Sequence, residues 1–193
     1  MFSKKYVFVF TALAVALSAS AQPKQTPPQQ LELFGVKVKG ATRDQLREAF
    51  EKGGLRPVRV DDKYWVDTYN ASNVLEGASE FMAGYVDRTR VFAFAQYEFK
   101  GFMDTELVAK VANMVTNKYG RANSQSGNVG LGPVTYIWNL PQGMIIRVTR
   151  GWPNTDTFLI FSDQATHAEM RAEQQADKDA AEKAKAKSQT KAF

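Results

Sequence analysis

Two stretches of this chain read alike. Val36-Lys37-Val38-Lys39-Gly40 leads into a helical pattern over 42–50, and Tyr97-Glu98-Phe99-Lys100-Gly101 leads into an amphipathic run that stops at Gly120. With Gly40 laid on Gly101, an offset of 61 positions, Val38 falls on Phe99, Lys39 on Lys100, Leu46 on Leu107 and Phe50 on Val111. Each copy reads strand, Lys-Gly, helix, and each is followed by strands, so the pattern predicts a two-fold internal repeat. A single helix covers only part of a four-stranded sheet face. Such a unit therefore needs its second copy to complete a core.

The first copy carries strong local signals. Leu33, Phe34, Val36 and Val38 suit one strand with Lys37 and Lys39 turned to water. Thr42 with Gln45 three residues on is a capping-box pattern for a helix over 43–52, which Gly53-Gly54 ends. Strands are expected at 57–60, 64–69, 81–86 and 90–99, the last two joined at Asp87-Arg88-Thr89. In the 90–99 strand both faces carry apolar residues, with Phe92 and Phe94 on one side and Val91, Ala93, Ala95, Tyr97 and Phe99 on the other. That predicts a central strand covered on both sides.

In the second copy Asp104 is the expected N-cap, and Leu107, Val111, Val115 and Tyr119 form a stripe widened by Val108 and Met114. Residues 121–132, rich in Gly, Asn and Ser, read as a mobile loop with a short strand near 122–126. Strands at 134–140 and 144–149 flank the turn Pro141-Gln142-Gly143, and a last strand covers 157–161. From residue 163 to 193 the chain is mostly Ala, Glu, Asp, Gln and Lys, which predicts a solvated helix. The fold class is therefore α+β: tandem αββββ-αββββ repeats preceded by a short strand, with a C-terminal solvated helix.

The ends of the chain suggest an address. Lys4 and Lys5, the apolar run 6–17 and Ala19-Ser20-Ala21 have the form of a cleaved export signal over 1–21. Losing the two lysines takes the formal charge from +5 to +3. Residues 22–30, with three prolines, read as a flexible linker. The two-repeat domain spans 31–162, divided near 31–100 and 101–162, and the charged Ala-rich tail spans 163–193. The chain has no cysteine, which excludes disulfides, thiol catalysis and a lipid-bearing cysteine. No later run is apolar enough to span a bilayer. The expected location is periplasmic or secreted.

The helix-plus-four-strands order across 31–161, with Gly40-Ala41-Thr42-Arg43-Asp44-Gln45-Leu46 at the first helix start, resembles the β-lactamase inhibitor protein. It is also similar to envelope proteins of the SmpA/OmlA, outer-membrane assembly lipoprotein type. Such families act by binding other proteins, so the resemblance implies a binding role. The absent lipobox cysteine departs from the lipoprotein pattern.

A search for chemistry finds little. His167 stands alone in the polar tail, without partners for a triad or a metal. Asp61, Asp62 and Asp67 cluster between two strands; they suit turn chemistry, or an acid–base pair if their environments differ. Ser79 lies in no nucleophile elbow, and the glycines at 127, 130 and 132 precede a strand rather than the helix that a phosphate loop requires. No catalytic residue, metal ligand or cofactor motif is assigned, and no nucleic-acid motif accompanies the basic balance. The candidate binding residues are Arg147, Arg150 and Trp152, because Arg and Trp together in a loop are enriched in protein hot spots; the same residues also suit stacking on sugar rings or bases, and the alternative is that Trp152 folds back as a lid on the sheet edge. The expected function is an exported, non-enzymatic bacterial envelope protein that binds another envelope or secreted protein. The alternatives are a periplasmic hydrolase of envelope polymers using the Asp cluster, or a structural spacer.

Overall fold

The structure is a computed structural model that describes residues 29–190. The export signal, most of the linker and residues 191–193 lie outside the described residues. A small hairpin comes first, β1 (Glu32–Leu33) and β2 (Val36–Lys37). Then follow α1 (Arg43–Lys52) and four strands: β3 (Arg56–Arg59), β4 (Val66–Asn70), β5 (Ala78–Tyr85) and β6 (Phe92–Phe99). The pattern repeats as α2 (Leu107–Tyr119), β7 (Ser124–Asn128), β8 (Leu131–Asn139), β9 (Met144–Arg150) and β10 (Thr157–Asp163), and α3 (Gln164–Gln189) closes the chain. The molecule is α+β, helix plus four strands twice.

All eight of these strands form one antiparallel sheet in the order β3-β4-β5-β6-β10-β9-β8-β7. Each half is a meander, and the two meet through their fourth strands, with Phe99 opposite Thr157 and Phe94 opposite Ser162. One continuous apolar core spans the join, from Leu46, Phe50 and Phe81 of the first half to Val111, Trp138 and Ile146 of the second. Phe50 sits edge-on to Phe81, Tyr69 and Phe34 with ring centroids 4.9, 5.7 and 5.4 Å away. Such edge-to-face packing adds about 0.5–1.5 kcal/mol per pair beyond burial.

The first helix forms as its sequence dictates. Thr42 Oγ1 accepts the Gln45 N–H and the Gln45 side chain accepts the Thr42 N–H, closing the capping box. Gly54 takes the left-handed conformation beyond its end, at φ 93°. The second helix differs. Asp104 is not its cap: the carboxylate accepts the Glu106 N–H two residues on, and α2 begins at Leu107 with no side-chain cap. Of the expected stripe Val108, Val111 and Val115 are buried, Leu107 and Tyr119 are partly buried, and Gly120 is at the stop, whereas Met114 is exposed and does not widen it.

Three expectations change. The strand expected through 33–38 is instead a hairpin, because Phe34 and Gly35 both take positive φ (50° and 77°), the requirement of a tight two-residue turn. The 121–132 stretch, expected as a mobile loop with a short strand near 122–126, does hold a strand, the edge strand β7, but its remainder is a paired hairpin to β8 with a bulge at Gly127/Asn128 rather than a loop. In β6 an irregularity opposite Gly84/Tyr85 shifts the facing, so Phe92 enters the main core while Ala93 and Phe94 join Met170 of α3 on the opposite face. One extra residue in a strand reverses the side that every later residue faces.

The terminal helix is exposed over 175–190, as expected, but its first turns dock on the sheet. Asp163 accepts the Ala165 N–H as cap and pairs with Lys39 at 2.5 Å, and the Thr166 hydroxyl donates to the Phe92 carbonyl. Met170 is buried against Val86 and Ala93. No described helix is long and apolar enough to cross a membrane.

Candidate functional site

Arg150 ends β9, where strand alternation places it with Met144, Ile146 and Val148 on the core side. It is fully buried. Its guanidinium donates to the carbonyls of Thr105 (2.5 Å), Val129 (2.7 Å), Asn128 (3.2 Å) and Gly132 (2.5 Å), and among the described residues it has no carboxylate partner. The planar five-donor fork suits such a fan of carbonyls, where a lysine would satisfy fewer. One side chain thus fastens the β6–α2 connection to the β7–β8 hairpin. The β9–β10 loop is fastened to the same place: Asp156 accepts the Gly101 N–H at 2.7 Å and the Thr155 hydroxyl accepts the Met103 N–H at 2.9 Å. A Cβ at Gly101 would collide with the Thr155 carbonyl, so only glycine permits this approach.

The register explains why these loops share one end of the sheet. Phe99, Thr157, Arg150 and Val134 are cross-strand neighbours in sequence across β6, β10, β9 and β8. Above this row stand Phe102 (89% exposed), Met103 (87%), Leu131 (66%) and Trp152 (49%). They are four of the seven large apolar side chains that the described residues leave exposed. Phe102 and Met103 also occupy the left-handed backbone region, at φ 43° and 68°. For bulky residues that conformation costs on the order of 1 kcal/mol or more, and it persists only where the surroundings impose it. Here the hydrogen bonds at Gly101 and Met103 do so.

The three residues singled out in the sequence do not converge. Trp152 belongs to this end, while Arg150 lies beneath it as a buried clamp and offers no surface contact. Arg147 leaves β9 on the opposite face, where it borders a cleft beside α3. The glycine-rich 127–132 segment supplies three of the carbonyls that hold Arg150.

The aspartates also separate. Asp67, fully buried on β4, receives bidentate bonds from Arg43 (3.2 and 2.6 Å) and Arg47 (2.8 and 2.9 Å). Burial pushes its carboxyl upward, but the hydrogen bonds from Arg47 and Arg43 outweigh this and hold it below the usual carboxylate range. Asp62 is exposed and is likewise held low, by hydrogen bonds from Arg90 and then Arg47. Asp61 turns its side chain to the Lys63 N–H at 2.7 Å. An acid–base pair needs carboxyls whose affinities for protons are driven apart, and Asp62 and Asp67 are driven the same way. His167 is half-buried and lies on the Phe94 ring, 5.3 Å between centroids. Ser79 donates to the Glu98 carbonyl at 3.2 Å. Among the described residues no cluster of three or more His, Asp or Glu is placed to hold a metal ion.

Sequence reasoning missed Phe102, Met103 and Leu131. A signal was present: at the offset of 61, Phe102 and Met103 replace Ala41 and Thr42, so apolar bulk stands where the first copy has a small residue and a cap.

No protein-family model matches the chain, and a search of curated proteins finds no match. Among solved structures, a DUF4309 family protein (YjgB) from Bacillus subtilis superposes with a TM-score of 0.44 at 14% identity. The likeness covers 70% of this chain and 88% of that one, and it is too remote to carry an argument about role.

Proposed function

We propose that this chain is an exported, non-enzymatic bacterial envelope protein, and that it binds another protein through Phe102, Met103, Leu131 and Trp152. The observation that carries the reading is the pair Phe102 and Met103, the two most exposed of these apolar side chains, held on strained backbone over a rigid base. A chain gains nothing in folding from presenting such groups to water, whereas a partner that buries them gains roughly 1.5–3 kcal/mol for each. A fixed base lowers the ordering cost of binding. The leader pattern over 1–21 supports export, and the αββββ-αββββ order supports kinship with the β-lactamase inhibitor protein and SmpA/OmlA type, whose members bind proteins.

The test is affinity capture from an envelope extract with wild type, Phe102→Ser/Trp152→Ala and Arg147→Gln as baits, each checked by circular dichroism. The expected result is one partner retained by wild type and Arg147→Gln and lost by the double variant. A partner retained equally by all three baits overturns the loop-end assignment.

A further inference from the structure

A second surface lies on the sheet face opposite the main core, and it is independent of the loop end. Cross-strand register sets Gln96, Ile160 and Arg147 in one row, and Phe94, Ser162 and Ile145 in the next. The first turns of α3 rise beside these rows, and His167 and Arg171, four residues apart, share one helix face. Between sheet and helix is a cleft of about 740 Å³. Its floor is half-buried and mixed, with apolar Phe94, Ile145 and Ile160 interleaved with uncharged Gln96 and Ser162, and Arg147, His167 and Arg171 stand around it.

Among the described residues no acidic side chain lines this cleft. The acids nearest in the chain are engaged elsewhere: Asp163 with Lys39, Glu98 with Lys100, and Glu169 and Glu173 with Arg88. Among the described residues neither Arg147 nor Arg171 forms an ion pair. The wider setting has the same sign, since Leu107 to Thr155 contains no Asp or Glu but holds Lys110, Lys118, Arg121, Arg147 and Arg150. His167 records the uncompensated charge: burial first, then Arg171 and Arg147, push its imidazole below the usual histidine range. Two guanidinium forks facing one cavity are suited to a carboxylate, sulfate or phosphate. The three apolar side chains of the floor are suited to a short hydrocarbon or aromatic body, and the volume is that of a small-molecule site.

We propose that this cleft binds an anionic amphiphile, one molecule at a time, with its head against Arg147, Arg171 and His167 and its apolar body along Phe94, Ile145 and Ile160. His167 is the one histidine of the chain, so its ring signals in an NMR spectrum are unambiguous. The full chain is titrated with laurate below its micelle-forming concentration, and separately with dodecyl maltoside, which has the same tail and no charge. Laurate is expected to shift the His167 ring signals at saturable concentration and to raise the pH at which they titrate, while dodecyl maltoside does neither. Arg147→Gln/Arg171→Gln is expected to weaken laurate by about tenfold or more, the loss of at least one charge-assisted contact, with the urea midpoint unchanged. Equal responses to the two amphiphiles, or unaltered laurate affinity in the double variant, overturn the proposal. So does a His167 response to phosphatidylglycerol vesicles with none to laurate, which would mark a membrane-surface contact instead.

Discussion

In the first half Asp67, on the second strand, is buried between Arg43 and Arg47 of α1. In the second half Arg150, on the third strand, is buried just as fully but meets only backbone carbonyls. The ion pairs join helix to sheet. The carbonyl clamp joins loop to loop. The consequence shows at the equivalent joints: the first half continues from Gly40 into buried Ala41 and capping Thr42, whereas the second continues from Gly101 into the exposed, strained Phe102 and Met103. Pinned loops can carry side chains in conformations that folding alone would reject. The same architecture thus yields a joint that is sealed in the first half and a joint that presents apolar side chains in the second.

The largest test of this contrast is Asp67→Asn, which leaves buried Arg43 without its close carboxylate and Arg47 with Asp62 alone. Breaking a buried pair in this way costs about 3–5 kcal/mol, read as a fall in the urea midpoint at pH 7. The same variant tests the acid limb. Asp67 is held below its unfolded value of about 4, so its contribution is complete above that pH and is lost as pH falls through the folded value. Wild type should therefore lose more stability between about pH 5 and pH 3 than Asp67→Asn does. Equal slopes would mean that the buried pairs are not the acid-sensitive element.

Next in size, Arg150→Met strands the carbonyls of Thr105, Asn128, Val129 and Gly132, and about 2–4 kcal/mol should be lost. Hydrogen exchange should locate the loss. Protection at 101–105 and 128–134 should fall, while α1 and β3–β5 keep theirs. Uniform loss would show that the clamp supports the whole sheet rather than one end.

The helix starts differ by less. Thr42→Ala removes a capping box and should cost about 1 kcal/mol, whereas Glu106→Ala at the uncapped start of α2 should stay within about 0.5 kcal/mol. Thermal or urea unfolding of the two variants side by side gives the comparison directly. Smallest of all is Phe102→Gly/Met103→Gly. Glycine accepts the left-handed backbone, and so little of either side chain is buried that stability should remain within about 1 kcal/mol of wild type. Partner capture should nevertheless be lost. A clear destabilisation would mean that these side chains serve the fold and not a partner.

Much of this could be read from residues close together in the chain. The Thr42–Gln45 box, the Gly120 stop, the hairpin at Asp87-Arg88-Thr89 and the Val108–Val111–Val115 stripe each rest on contacts within a few positions, and each stands in the structure. Arg150 was readable in part, since alternation from Met144, Ile146 and Val148 already sets it on the core side while Arg147 goes with Ile145 and Thr149. Its partners were not readable, because Thr105 lies 45 residues away and offers only a carbonyl, which every residue has. The aspartates misled for a related reason. Asp61, Asp62 and Asp67 are neighbours in sequence, but the arginines that hold the Asp62 and Asp67 carboxyls low come from α1 and from Arg90.

The sequence alone determined the three helices, most of the sheet strands and their doubling, because helix caps, turns and strand alternation are satisfied by groups a few residues apart. Tertiary structure decided which charges are buried, which face α3 covers and which apolar side chains are left outside. Those outcomes depend on donors and acceptors brought together from distant positions by the β6–β10 join, and no local pattern encodes that meeting.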